Sequence, residues 1–288
     1  MGGAPYASTP APLLLVDGHN LLWGATFGFP AEVRSRDKTR LLTGLFGFFA
    51  LLRVAVRDEV PDPPEIIVVF DGQYGAADRQ QVDSGYKAQR PTDEAALTPI
   101  QYLPDVKRGL DHCQIPWVEL DHAEADDVIA SLVAATPPPR PILVMSRDRD
   151  FYQLIDGTRV RVLNTRVRAG SRLIDATAVR ERHQVTPQQW ADFRALTGDP
   201  ADNIPGVRGI GATTAARLLA DEMTLDALPN SGRLTGRAQT VAEQWDDVLK
   251  WRGMIRLRTD VPLPDASAGR LSPALPSPRD VVEHLGLW

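Results

Sequence analysis

Short apolar runs that lead into aspartate are the feature of this sequence that most constrains its fold. The runs LLLVD, IIVVFD and ILVMS have the composition of buried strands, and they lead into Asp17, Asp71 and Asp148. Two further runs of strand type, IPWVEL and VRVLN, lie between Leu13 and about Leu163 and alternate with helical stretches, the longest from Lys38 to Arg57. This alternation predicts an α/β fold with a parallel sheet flanked by helices.

Acidic residues recur in five short segments in a pattern that predicts one shared site. If the strands are neighbours, their acids emerge at the edge of the sheet where open α/β sheets bind ligands. Clustered carboxylates resist ionising unless cations lie between them, and Mg²⁺ prefers oxygen ligands. The candidate metal ligands are Asp17, Asp71, Glu124, Asp126, Asp127, Asp148, Asp150, Asp199 and Asp202.

Each acidic segment also has a purely structural interpretation. An Asp after a strand commonly caps a helix or forms a turn, and acids in the first turn of a helix favour its dipole. The coincidence of five segments favours the metal site. Carboxylates from several strand ends can hold two divalent ions roughly 4 Å apart, an arrangement that suits phosphodiester hydrolysis.

A polar insert from Gly72 to Pro99 separates two of the acidic segments. It is long for a connection and too polar for the core, which indicates a functional segment. Tyr86 offers a surface for stacking a base, while Lys87 and Arg90 offer cations for a phosphate. The alternative is a solvated helix face with an incidental aromatic residue.

The glycine-rich segment NIPGVRGIGATTAARLL predicts a hairpin followed by a helix. Gly206, Gly209 and Gly211 permit a tight turn with exposed amides, and the following helix directs its positive end toward an anion. Such a hairpin binds phosphate without reading bases. The glycines do not follow a strand, which argues against a dinucleotide site. A simple turn between two packed helices is the alternative.

Composition constrains the protein less than these segments do. The 288 residues carry a net charge of −5, which does not indicate bulk nucleic-acid binding, although clustered acids inflate the negative count. Cys113 is the single cysteine, so an internal disulfide and a cysteine-based zinc site are excluded. No secretory signal or apolar span of membrane length is present, and we expect a cytoplasmic protein that does not contact a membrane.

Taken in order, the segments DGHNLL, VFDG, GYKAQR, AEADDVIA, SRDRDFYQL and TGDPADNIPGVRGIG resemble the bacterial 5′-3′ exonuclease and flap endonuclease family. This family includes the 5′ nuclease domain of DNA polymerase I and stand-alone enzymes. The resemblance runs from about Leu13 to Leu257. It implies a PIN-like sheet, two or more Mg²⁺ or Mn²⁺ ions, a helical arch, and a helix-hairpin-helix that binds duplex DNA through K⁺.

The resemblance also implies roles for individual residues. The first metal ion would be bound mainly by Asp17, Asp71, Glu124, Asp126 and Asp127, and the second by Asp148, Asp150, Asp199 and Asp202. Asp126, Asp148, Lys87 and Arg90 are the expected catalytic residues. The expected DNA-binding residues are Arg79, Tyr86, Lys87, Arg90, Gly206, Gly209, Gly211 and Thr213. Two positions depart from the family pattern: Arg149 replaces a lysine, and Thr213 replaces the lysine that usually follows the hairpin glycines.

These features predict a structure-specific 5′ nuclease that hydrolyses DNA at a 5′ flap, nick or 5′ end during replication and repair. We expect a tail over residues 1–11, a catalytic domain over 12–175 with its arch at about 73–98, and a helical DNA-binding region over 176–288 with its hairpin at about 203–220. Because the sequence ends at Trp288, we expect a nucleoid-associated monomer without a polymerase. A PIN-type ribonuclease and a non-catalytic DNA-binding module are the alternatives.

Overall fold

A six-stranded sheet organises the part of the chain that the computed structural model describes, which is residues 10–168, 170–264 and 270–288. Its strands lie in the order β3-β2-β1-β4-β5-β6. The strands β1 to β5 are parallel, and β6 pairs antiparallel with β5. Their bounds are β1 Leu13–Asp17, β2 Glu65–Phe70, β3 Trp117–Glu119, β4 Ile142–Met145, β5 Val160–Leu163 and β6 Leu173–Ile174.

Helices cover both faces of the sheet. The α-helices are α1 Gly18–Gly28, α2 Thr43–Glu59, α3 Ala77–Val82, α4 Glu94–Leu97, α5 Leu103–His112, α6 Ala125–Ala135, α7 Ala176–His183, α8 Trp190–Thr197, α9 Ala212–Leu218, α10 Gln239–Glu243, α11 Trp245–Ile255 and α12 Pro278–His284. Short 3₁₀ helices span Thr98–Tyr102, Asp150–Leu154, Pro187–Gln189, Leu225–Asn230 and Gly236–Ala238. Among the described residues, none of these helices has the length and apolar character needed to cross a membrane.

The strands are buried on both faces because each face packs against helices. Leu13 and Leu15 of β1 face a cluster that includes residues of α6, α8, α9 and α11. Leu14 and Val16 face the opposite cluster, which includes residues of α1, α2, α5 and α12. Cys113 is free and buried in this second cluster, as its apolar character predicts.

The predicted parallel sheet is confirmed for the five strands whose apolar runs are visible in the sequence. The strand β6 was not predicted, because two residues are too few for a detectable pattern. The helix predicted from Lys38 begins instead at Thr43, because Asp37 accepts hydrogen bonds from Ser35 and Thr39 and closes a turn there. The predicted tail lies outside the described residues as far as residue 9.

Candidate metal and nucleic-acid site

Hydrogen bonds between the ends of β1 and β4 bring two of the acidic segments together at the carboxyl edge of the sheet. Asp17 ends β1, caps α1 by accepting from the backbone N–H of Asn20 at 3.0 Å, and accepts from the hydroxyl of Ser146 at 2.8 Å. Ser146 follows β4, and its oxygen accepts from the backbone N–H of Asp148 at 3.0 Å. Asp17 and Asp148 are therefore linked through one serine.

The end of β2 is joined to the start of α6 in a similar way. Asp71 follows β2 and accepts from the backbone N–H of Ala125, the first residue of α6, at 2.8 Å. This bond fixes the first turn of α6, which carries Asp126, beside the sheet edge. The backbone N–H of Asp71 donates to Nδ1 of His19 at 3.0 Å, and burial lowers the pKa of His19, which keeps this ring nitrogen an acceptor.

The second group of acids follows β4 and the hairpin. The backbone N–H of Asp150 donates to Asp148 at 2.9 Å, and the negative charges of Asp199 and Asp202 act on Asp150. Asp199 forms an ion pair with Arg194. Asp202 accepts from the Tyr86 hydroxyl at 3.2 Å and from Arg90 at 2.9 Å. The chain thus brings acids that lie up to 185 residues apart, from Asp17 to Asp202, to one edge of the fold.

Burial and mutual repulsion make several of these carboxyls hard to ionise. Burial, followed by the charge of Asp71, raises the pKa of Asp17 to about 7. Burial and the charge of Asp148 raise the pKa values of Asp126 and Asp150 well above the usual range. Bound cations would relieve this repulsion, and the donor set consists of hard oxygen atoms, so it fits divalent ions such as Mg²⁺ or Mn²⁺.

The acids converge without forming a closed cage. Among the described residues, no three His, Cys, Asp or Glu side chains lie close enough together to hold one metal ion in their present positions. The inference that this site binds a metal ion therefore rests on its carboxylate oxygens and on the repulsion between Asp17, Asp126, Asp148 and Asp150.

Two predicted ligands at α6 are engaged by cations instead. Asp127 is fully buried and accepts two hydrogen bonds from Arg79, both at 2.8 Å. It accepts two more from Arg258, from the backbone N–H at 2.9 Å and from Nε at 3.0 Å. Burial alone would raise the pKa of Asp127, but the bonds and charge of Arg79 outweigh it and lower the pKa. Two arginines therefore hold the Asp127 carboxylate in this conformation, and its role as a metal ligand stays a prediction. Glu124 contacts Arg79, Tyr86 and Lys87, so its oxygens are also occupied.

The polar insert is folded down onto the acids rather than standing free. Tyr86 is 3% exposed and donates its hydroxyl to Glu124 and Asp202, so its ring is covered in this conformation and its role in stacking a base stays a prediction. Arg79 is 11% exposed and held by its acidic partners in this conformation, and its role in DNA binding stays a prediction. Lys87 pairs with Glu124, whereas Arg90 is half exposed. The insert contains α3 and α4, joined by turns.

The predicted glycine hairpin connects α8 to α9. Gly206 has a φ of 70°, and a Cβ there would lie 2.3 Å from the backbone nitrogen of Gly198, so Gly206 is needed to close the hairpin, and its contact with DNA stays a prediction. Gly209 and Gly211 are exposed with open space around them, and Thr213 is exposed in the first turn of α9. The exposed tip is therefore formed by the later two glycines.

Sequence reasoning missed several residues that shape the site. Ser146, His19 and Asn20 position the acids or their neighbours, and Arg147 donates to Asn20 through its backbone N–H and its guanidinium group. His19 and Asn20 lie in DGHN, and Ser146 and Arg147 lie in SRDRD, directly beside the predicted acids. Their adjacency to those acids was the available signal.

Comparison with known proteins places this geometry in a family. The chain matches the model of the 5′-3′ exonuclease N-terminal resolvase-like domain over residues 12–184 and that of the 5′-3′ exonuclease C-terminal SAM fold over 185–274. A 5′-3′ exonuclease from Streptomyces coelicolor is 32% identical over 289 residues, covering 93% of this chain and 92% of the relative. The thermostable DNA polymerase I of Thermus aquaticus is 35% identical over 99% of this chain, which spans 33% of that relative.

Solved structures share the fold. The bacteriophage T5 flap endonuclease, crystallised with DNA and metal ions, has a TM-score of 0.69 and 21% identity, with 94% of this chain and 98% of that chain covered. The catalytic core of Rad2 in complex with a DNA substrate has a TM-score of 0.58 and 15% identity, with 98% and 90% covered.

Proposed function

Since the chain belongs to the 5′-3′ exonuclease family, we propose that it is a metal-dependent nuclease that hydrolyses DNA phosphodiesters near junctions of single strand and duplex. The observation that carries this proposal is the convergence of Asp17, Asp71, Asp126, Asp148 and Asp150 at the carboxyl edge of the sheet, with pKa values of Asp17, Asp126 and Asp150 raised by burial and repulsion. Clustered carboxylates repel phosphate on their own, so a site for a nucleic acid there requires cations.

The acids divide into two groups that would hold separate ions. Asp17, Asp71 and Asp126 would bind one ion, while Asp148, Asp150 and Asp202 would bind the other. Glu124 and Asp199 are paired with cationic side chains and would act as outer partners. Asp202 is paired with the half-exposed Arg90 and would exchange that ion pair for the metal ion. Divalent ions bound here would activate water and stabilise the leaving oxygen of a phosphodiester.

The chain's own residues would orient and neutralise the substrate. Ser146 holds the Asp17 carboxylate and the Asp148 backbone in fixed relation. Lys87 and Arg90 lie over the acids, and an entering phosphate would draw them away from Glu124 and Asp202. These cations would be used most when charge develops on the phosphate.

The hairpin tip would bind the duplex part of the substrate at a distance from the phosphodiester that is hydrolysed. The exposed backbone at Gly209 and Gly211 can approach a phosphate closely, and a bridging K⁺ would suit its carbonyl oxygens. With DNA as the substrate, we place the protein in the cytoplasm, at the nucleoid, and expect it to act as a monomer.

One assay tests this proposal. A 5′-labelled flap and a 3′-labelled nicked duplex are incubated with Mg²⁺ or Mn²⁺, and a matched RNA flap is run beside them. Products cut near the junction of the DNA flap support the proposal. Cleavage confined to the RNA flap would instead favour a PIN-type ribonuclease, and DNA binding without any product would favour a non-catalytic module.

A further inference from the structure

An arginine-lined cleft of about 770 Å³ adjoins the acidic edge and has Asp148 and Asp199 in its wall. The roles assigned above use these two acids but not Arg149 or Arg166. The cleft opens next to Asp148, on the side of β4 and β5. Its walls include Asn20, Arg147, Arg149, Arg166 and Arg194. A smaller cavity of about 170 Å³ continues from it and shares Asn20, Arg147 and Arg166.

Positive charge exceeds negative charge in this cleft. Arg194 is paired with Asp199. Within the described parts of the chain, the guanidinium groups of Arg147, Arg149 and Arg166 form no ion pair with any carboxylate, although Asp148 lies in the same wall. Three cations without a carboxylate partner beside a cluster of acids are an arrangement that attracts an anion.

The position of Arg147 is fixed by bonds that leave its charge uncompensated. Its Nε donates to Oδ1 of Asn20 at 2.9 Å, and its Nη2 donates to the backbone oxygen of the same residue at 2.8 Å. Both acceptors are neutral. Arg147 is half-buried, so the cleft contains a guanidinium group that is already oriented.

Two glycines of α1 lie next to these arginines, and the contact at Gly24 is the tighter one. A Cβ at Gly24 would lie 3.2 Å from Cζ of Arg147, and a Cβ at Gly28 would lie 3.6 Å from Nη2 of Arg166. Residues four apart lie on the same face of a helix. The guanidinium groups of Arg147 and Arg166 therefore lie along one face of α1, next to Gly24 and Gly28.

We propose that this cleft binds a phosphate group of the strand being cut, through Arg147 and Arg166. The inference rests on the proposed nuclease function, because it assumes that a nucleic acid occupies the acidic edge. Arginine presents several donors in a planar fork that matches phosphate oxygens. The phosphate is either the terminal monoester of a 5′ end or a diester within the strand.

The two sources are distinguished by binding measurements without cleavage. In an Asp148→Asn background, the dissociation constants of two nicked duplexes, one with a 5′-phosphate and one with a 5′-hydroxyl at the nick, are measured by fluorescence anisotropy. The test variant is Arg166→Ala. Arg168→Ala is the matched control, because it removes the same charge from an exposed residue of the same loop outside the cleft.

A terminal-phosphate site gives roughly five- to tenfold tighter binding of the 5′-phosphate duplex, and Arg166→Ala abolishes this preference while Arg168→Ala retains it. If the cleft binds a diester within the strand, Arg166→Ala weakens the binding of both duplexes equally, and by more than Arg168→Ala does. Equal effects of the two variants on both duplexes would overturn the proposal. Since cleavage is not measured, failure of the phosphate site is distinct from failure of the nuclease function.

Discussion

The ammonium group of Lys87 forms an ion pair with the carboxylate of Glu124, which directly precedes α6. Nζ of Lys87 also lies 3.9 Å from Asp202. Although burial would lower the pKa of Lys87, the carboxylates of Asp202 and Glu124 outweigh it and raise the pKa, so the side chain is charged. The insert is therefore held against the acidic edge by charge, and a phosphate would compete with Glu124 for this cation.

Lys87→Ala should lower the single-turnover cleavage rate roughly tenfold or more, because a cation aimed at developing charge acts mainly in the transition state. Binding of the flap substrate should weaken less. Lys38→Ala is a matched control, since Lys38 is exposed and has a similar left-handed φ of 61°, against 57° at Lys87. A loss confined to the dissociation constant would assign Lys87 to docking alone.

Asp148→Asn should reduce DNA cleavage roughly 100-fold or more while DNA binding survives, because it removes a charge and keeps the shape. The backbone contacts of residue 148 with Ser146 and Asp150 can remain. Asp62→Asn, an exposed substitution in the loop before β2, is the control. Turnover of the Asp148→Asn variant near that of the wild type would remove Asp148 from the metal site.

Arg79→Met should lower the free energy of unfolding by about 3 kcal/mol, because it removes the two hydrogen bonds and the positive charge that Arg79 provides to the buried Asp127. Urea denaturation measures this change. Arg57→Met removes an exposed arginine that, among the described residues, pairs with its neighbour Asp58, and it should leave the free energy of unfolding close to that of the wild type. Equal stability of the two variants would show that the pair of Arg79 and Asp127 contributes little to the fold.

Thr213→Lys should tighten binding of a flapped duplex and steepen its salt dependence by up to about one unit, as expected for one added phosphate contact. Thr213 is exposed and follows the hairpin tip at Gly211. The control is Thr158→Lys, which adds the same charge before β5, at the opposite edge of the sheet. If both lysines change the salt slope equally, the hairpin does not contact the duplex.

The fold was largely predictable because its signals are local. Each of the first five strands is a short apolar run, and the runs alternate with helical stretches, so the parallel sheet followed from patterns within each segment. The ends of parallel strands meet at one edge, and the sequence therefore indicated that Asp17, Asp71 and Asp148 would lie together. Two adjacent family models then covered residues 12–274.

The tertiary structure alone decided which polar side chains are available to a ligand. Asp126 and Asp127 are neighbours in the sequence, but the helix turns Asp127 toward Arg79 and Arg258, which lie 48 and 131 residues away. Tyr86 is buried by contacts with Glu124 and Asp202. Such pairings depend on distances between remote segments, and local periodicity carries no information about them.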